Sequence, residues 1–253
     1  MRTEHIQIDY CLHFTSAFRF GTGLRQGLIN RVVARDAKDY LYVPGSTLKG
    51  VLRERCEQLA ELFELEVIDP HAEDLAEVNR DLAIVNRIFG SRFHASSLYF
   101  DDAPLIDEQK NWFEPQAGND EYKKTKRPEY RSWQTEKRTQ VTISRLTRTA
   151  ELGRLYNSEY GVKDLKFKGS IYGLLSGFRI EEEQPGTYSL LLLCAGLCSL
   201  DFDRLGGNKS TGAGLMALEI SRLTVDGQAL EAKGLLDKLE ELELYAIARE
   251  EME

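Results

Sequence analysis

Along residues 5–14 the chain alternates between apolar and polar positions. Ile6, Ile8, Tyr10, Leu12 and Phe14 share one side; Gln7, Asp9, Cys11 and His13 share the other. A period of two belongs to a strand with one face on a core and one on solvent, so a half-buried strand is predicted here. A loop containing Gly21, Gly23 and Gly27 follows, and residues 40–43 form a short apolar run that ends at Pro44-Gly45. Beyond that chain-breaking pair, Leu48, Val51, Leu52, Cys56, Leu59, Leu62 and Phe63 recur at helical spacing, with Lys49, Arg53, Glu54, Glu57 and Glu61 opposite them. The pattern predicts an amphipathic helix with Ser46 or Thr47 as its N-cap. A second helix is expected over 70–89, stopped by Gly90, and a strand over 96–100.

Residues 101–138 are polar, dotted with aromatic side chains and without clean periodicity, as expected of a long insertion. Alternation returns over 139–145. Further strands are predicted over 169–180 and 187–193, a helix over 193–204, and a closing strand over 215–223. Residues 230–249 carry Leu235, Leu236, Leu239, Leu242, Leu244 and Ile247 at helical spacing, which predicts a C-terminal amphipathic helix. No short-period repeat occurs. This order of elements predicts an α+β fold with a mainly antiparallel sheet.

Composition narrows the picture. The 253 residues are 42% hydrophobic, enough for one large domain. The longest apolar stretch, residues 190–197, is far shorter than the roughly 20 residues that cross a bilayer. No apolar segment follows the charged start, so no secretory signal is expected and the chain is read as cytoplasmic. Cys11, Cys56, Cys194 and Cys198 lie in apolar patterns, and Cys194 and Cys198, four apart, have no histidine nearby, which predicts reduced thiols and no metal site.

The net charge of -8 argues against a polyanionic partner until its distribution is considered. Residues 122–148 hold nine bases (Lys123, Lys124, Lys126, Arg127, Arg131, Lys137, Arg138, Arg145 and Arg148) against Glu129 and Glu136, a net of +7. Residues 226–253 hold nine acids against three bases, a net of -6. A chain divided in this way is expected to bind a polyanion at one place and to use its acidic end as an assembly surface.

Two motifs carry chemistry. Tyr42-Val43-Pro44-Gly45-Ser46-Thr47-Leu48-Lys49-Gly50-Val51-Leu52-Arg53 joins a strand end to a helix N-terminus, where free N–H groups, two hydroxyls, Lys49 and Arg53 favour an anion. Leu205-Gly206-Gly207-Asn208-Lys209-Ser210-Thr211-Gly212-Ala213-Gly214 is a glycine-rich loop whose backbone can approach a phosphate or a base. It lacks the spacing and strand-to-helix context of a nucleoside triphosphatase loop.

In this order the two motifs resemble the RAMP superfamily. Arg87-Ile88-Phe89-Gly90-Ser91, Ser96-Ser97-Leu98-Tyr99-Phe100-Asp101-Asp102-Ala103 and the stretch from Gln140 to Ala150 resemble the backbone subunits of type III CRISPR complexes. The resemblance spans roughly residues 5–223. It implies a ferredoxin-like (RRM-type) core in a single domain over 1–253, a thumb-like insertion within 101–165 and an acidic C-terminal helix within 226–253. It also implies a guide-RNA (crRNA)-binding subunit of an RNA-guided interference complex, with crRNA, target RNA and other complex subunits as partners. No membrane, cofactor or metal is implied. The expected RNA contacts are Ser46, Thr47, Lys49 and Arg53 from the first motif and Gly206, Gly207, Asn208, Lys209, Ser210 and Gly212 from the second. Lys123, Lys124, Lys126, Arg127, Arg131, Arg145 and Arg148 are expected from the thumb region, with Trp112, Phe113, Tyr122, Tyr130 and Trp133 as stacking candidates.

Catalytic members of this group carry a loop aspartate a few residues before a basic-acidic pair. Here the pair is Arg35-Asp36, and Asn30 stands where the resemblance places the aspartate. A neutral amide is neither a general base nor a metal-binding carboxylate, so the expectation is a subunit that binds RNA without cutting it. Asp36 and Asp39 are the fallback acids if the chain is instead a target-cleaving backbone subunit. A guide-processing endoribonuclease is the third reading, although His5, His13, His71 and His94 form no catalytic signature.

Overall fold

The N-terminal alternation becomes the central strand of the molecule. In the computed structural model, which describes residues 2–25, 27–69, 83–92, 94–114, 129, 131–181 and 185–245, β1 runs over Arg2–Phe14. Ile6, Ile8, Leu12, Phe14 and Tyr10 point into the core, while Gln7, Asp9, Cys11 and His13 face the other way. The elements that follow are β2 (Tyr42–Val43), α1 (Gly45–Leu62), α2 (Ile84–Phe89), β3 (Leu98–Phe100), β4 (Ala103–Pro104) and α3 (Asp107–Lys110). Next come β5 (Thr135–Ile143), β6 (Ala150–Gly161), β7 (Leu165–Gly177), α4 (Tyr188–Ser199), β8 (Met216–Val225), β9 (Gln228–Ala229) and α5 (Ala232–Leu236).

The main sheet is antiparallel, in the order β3-β7-β1-β8-β9. Its spine reads β1-α1-β3-β7-α4-β8, two strand–helix–strand halves with the ferredoxin-like topology. Both long helices pack on one face. Leu48, Leu52, Cys56 and Ala60 of α1 and the run Leu190–Leu193 of α4 close over the apolar side of β1, β7 and β8. Burial of each such aliphatic side chain contributes about 1.5–3 kcal/mol. Among the described residues, the opposite face of the sheet is not covered by any helix.

Several expectations are corrected. Residues 187–193 form no strand. They begin α4, whose N-cap Thr187 accepts a hydrogen bond from the Leu190 N–H. A four-leucine run buried on every side fits a helix wedged between sheet and α1 as well as it fits a strand, and periodicity does not separate the two. Ser46 and Thr47 do not cap α1. The helix starts at Gly45, with Pro44 at the N-cap position, and Asp102 Oδ1 accepts the Gly45 N–H at 2.8 Å. The expected helix over 70–89 is described only in its last turn, α2, because 70–82 lie outside the described residues.

Residues 103–113 do not belong to a loose insertion. Ala103, Leu105 and Phe113 are core residues, β4 pairs with β2, and Gln109 caps the start of β7 through the Lys166 N–H. The C-terminal helix is interrupted within the described residues. After α5 the chain continues as a 3-10 helix over Leu239–Leu244, and Leu235, Leu242 and Tyr245 turn inward against the core. The expected assembly face is thus, on its apolar side, a cover for the molecule's own core.

Candidate nucleic-acid interface

The antiparallel register decides where the loops meet. Phe14, the last residue of β1, stands opposite Leu165 at the start of β7 and Met216 at the start of β8. The loop that leaves β1, the hairpin that returns into β7 and the glycine-rich loop that enters β8 therefore gather at one end of the sheet. Backbone hydrogen bonds join them there. Phe18 pairs with Gly161 in both directions, Gly207 N–H donates to Arg19 O, and Gly214 N–H donates to Ala17 O. Gly206 has φ +94°, and a Cβ there would fall 2.5 Å from Arg19 O, so the loop can close on this segment only with glycine at that position.

At this junction four cations surround two tyrosines. Arg19 Nη1 lies 3.4 Å from Asn208 Oδ1, and Asn208 Nδ2 donates to Tyr160 OH at 2.8 Å. The Arg138 guanidinium lies over the Tyr160 ring and Arg31 over the Tyr156 ring, 4.6 and 4.9 Å from the centroids. Lys209 follows Asn208 in a short 3-10 turn over Lys209–Thr211, with Ser210 exposed beside it. Arg138 is paired with Glu136. Arg19 and Arg31 have no carboxylate partner among the described residues, and the Arg19 Nε–H is buried without an acceptor. Burial first, and then the charge of Arg31, lowers the affinity of Arg19 for its proton. Two guanidinium groups without a carboxylate partner, one of them with an orphan Nε–H, beside the side-chain donors of a glycine loop are suited to the oxygens of a phosphodiester.

Asn208 from the glycine-rich motif and the hairpin residues thus share one site. Sequence reading missed Arg19, Arg31, Tyr156 and Tyr160. Arg19 and Arg31 sit in a loop with no periodicity, and their proximity depends on a hairpin more than 100 residues away. The stacking of Arg138 and Arg31 on aromatic rings was hinted only by the aromatic residues interleaved with the basic stretch.

Other predicted residues lie elsewhere. Arg53 is held by Glu57, Gly90 O and Asn86 Oδ1, which fix α2 to α1. Arg131 is 7% exposed and bonds to Glu114, Lys38 O and Tyr40 OH. Lys49 lies over the Phe100 ring, and its partial burial, helped by Arg53, lowers its pKa. Ser46 is exposed and Thr47 half-buried on the first turn of α1, which is held against the end of β3 and the two residues that follow it. Gly207 and Gly212 are exposed on the glycine loop. Arg145 and Arg148 are exposed at the far turn of the β5–β6 hairpin. Lys123, Lys124, Lys126, Arg127, Tyr122 and Tyr130 lie outside the described residues. Trp112 and Trp133 are exposed, but Phe113 is buried in the core.

Asn30 has a defined local role. Its Oδ1 accepts the Asn157 N–H at 2.9 Å, and its own N–H donates to Asn157 O, which pins the loop to β6. Asp36 Oδ1 accepts the Lys38 and Tyr40 N–H groups in a tight turn. Asp39 has φ +68°, with its carboxylate 3.7 Å from Arg35. The three do not converge on one point with a second acid or base. No cluster of three or more potential metal ligands exists among the described residues, and all four cysteines are free thiols. No described helix is long and apolar enough to cross a membrane.

Comparison with known proteins agrees with this architecture. No curated protein matches the sequence. Among solved structures, a chain of a type III-B Cmr-beta complex, determined by cryo-EM in the apo state, superposes with a TM-score of 0.56 over 85% of this chain and 97% of that one, at 14% identity. The sequence profile of the RAMP superfamily matches residues 11–217, a range that holds both motifs and runs from the end of β1 to the start of β8, and the chain belongs to that superfamily.

Proposed function

We propose that this chain is a guide-RNA-binding subunit of a type III CRISPR RNA-guided complex, holding the RNA backbone across the junction of the β1 loop, the β5–β6 hairpin and the glycine loop. The observation that carries the reading is the pair of carboxylate-free arginines, Arg19 and Arg31, beside Asn208 and Lys209. Backbone recognition through such groups is electrostatic and largely independent of sequence. Tyr156 and Tyr160 set the planes of the guanidinium groups, and the exposed Arg145 and Arg148 extend the positive surface along the hairpin. Arg53 and Arg131, being bonded internally, are assigned to structure. The fold shared with a chain of a Cmr-beta complex supports membership of such an assembly, with crRNA, target RNA and other subunits as partners.

The subunit binds without cutting on this reading. Asn30 is a hydrogen-bonded strut with no carboxylate, and Asp36 Oδ1 is engaged by two backbone N–H groups of a turn, so neither is offered as a general base.

The test is the salt dependence of single-stranded RNA affinity for wild type and Arg19→Ala/Arg31→Ala. Loss of two phosphate contacts should reduce the slope of log K against log salt by about 1.4 and weaken binding at low salt. An unchanged slope would remove the junction from the RNA footprint. In an assembled complex, target RNA should remain intact opposite this subunit, and Asp36→Ala and Asp39→Ala should leave the cleavage pattern unaltered.

A further inference from the structure

The uncovered face of the sheet carries a feature that the RNA-binding reading does not use. Tyr99 of β3 and Tyr172 of β7 are cross-strand partners. Their rings stack with centroids 5.6 Å apart and planes 26° from parallel. They are 62% and 37% exposed, and Leu174, two residues along β7, is 52% exposed. Large apolar and aromatic groups grouped on a rigid strand, rather than scattered, mark a contact surface. The Tyr172 hydroxyl lies 3.4 Å from Asp101 Oδ1, and Asp101 raises the pKa of that phenol, so the local potential is negative.

A carboxylate at the edge of the stack favours a cation over a phosphate at that spot. We propose that the Tyr99–Tyr172 stack, with Asp101 at its edge, is a docking site for an arginine-bearing segment of a different protein subunit in the assembly. A guanidinium lying on the outer face of the stack gains a cation–π contact, its edge N–H groups reach the Asp101 carboxylate, and the flanking aliphatic chain covers Leu174. Geometry separates this site from the RNA junction. Tyr172 is opposite Gln7, seven residues along β1 from Phe14, about 23 Å at the rise of a strand. A protein bound here would leave the Arg19–Arg31 cluster open to RNA.

The proposal rests on the assembly reading above, and its test separates the two. The chain would be co-expressed with candidate type III complex subunits, the complex captured through a tag on this chain, and subunit retention measured against rising salt. The photoreactive residue p-benzoyl-phenylalanine would be placed at Leu174. The expected result is a crosslink to an arginine-containing peptide of a different subunit. Tyr99→Ala/Tyr172→Ala should weaken retention of that subunit by at least about thirtyfold, the range of an interface hot spot. Asp101→Asn should weaken it in the same direction, while RNA affinity of the isolated chain stays at the wild-type level in both variants. A crosslink to RNA or to a second copy of this chain overturns the proposal, as does unchanged retention in the double variant. If wild type binds RNA but retains no subunit at any salt concentration, the assembly reading fails along with it. If Arg19→Ala/Arg31→Ala keeps full RNA affinity while the crosslink forms, only the RNA reading fails.

Discussion

Glu159 ties the β1 loop to the β5–β6 hairpin at the proposed RNA junction. Its carboxylate is buried and accepts hydrogen bonds from Arg35 at 3.0 Å, Thr135 Oγ1 at 2.7 Å and the Val33 N–H at 3.2 Å. Burial alone would raise its pKa, but the hydrogen bonds from Thr135 and Arg35, and the charge of Arg35, outweigh burial and hold it below the ordinary carboxylate value. A depressed folded-state pKa stabilises the protein fully above the unfolded value of about 4.3, and the contribution disappears as pH falls through the lower folded value. Glu159→Gln should therefore cost about 1.5–3 kcal/mol at pH 7 in urea unfolding. The gap between variant and wild type should close below pH 4, and a gap that persists undiminished at pH 2 would show that the ionised carboxylate is not the source. None of this was legible in the sequence. Glu159 lies in a stretch without alternation, and Arg35 was read only as half of a basic-acidic pair.

At the scale of elements, legibility followed periodicity and burial on one side. β1, α1 and β8 were read within a few residues because each has one apolar and one polar face. β6 was not read, because its outer half, Ala150–Leu155, projects from the core and has no buried side to impose a period of two. α4 was half misread for the opposite reason, since it is buried on all sides and carries no polar face. The glycine loop was recognised as a motif, but composition does not say which glycine is indispensable. The structure separates them. Gly206 and Gly212 both have positive φ, at +94° and +95°, yet a Cβ on Gly206 would collide with Arg19 O whereas Gly212 faces open space. Gly212→Ala should cost only the left-handed backbone penalty, about 1–2 kcal/mol. Gly206→Ala should cost more, and should also displace Asn208 from Arg19 and Tyr160 and lower RNA affinity. Thermal melts and RNA titrations of the two variants side by side check this, and equal behaviour in both assays would refute the assigned role of Gly206.

For the whole molecule, the uneven charge that first pointed to a polyanion is only partly expressed at the described junction. Four of the nine bases of the +7 stretch fall outside the described residues, Arg131 is internal, and two of the cations at the junction, Arg19 and Arg31, come instead from the β1 loop. The acidic C-terminal segment shows the same division of labour. Among the described residues Glu231, Asp237, Glu240 and Glu243 are exposed, but the apolar side of the segment is an integral layer of the fold. Leu235, Leu242 and Tyr245 are buried, and the Tyr245 ring meets Phe178 and Tyr188 edge-on at 5.8 and 5.6 Å. Three such side chains contribute roughly 1.5–3 kcal/mol each by burial, a sum comparable to the lower end of the 5–15 kcal/mol by which domains of this kind are stable. Truncation after Ala229 should therefore expose the α4 face and abolish a cooperative thermal transition or lower its midpoint by well over 10 °C, as followed by circular dichroism. Neutralising the exposed Glu240 and Glu243 to Gln should instead leave the melt within a few degrees, because exposed charges contribute little to stability. A truncated chain that melts like wild type would mean that the apolar side of this segment is not part of the core and is available to another subunit after all.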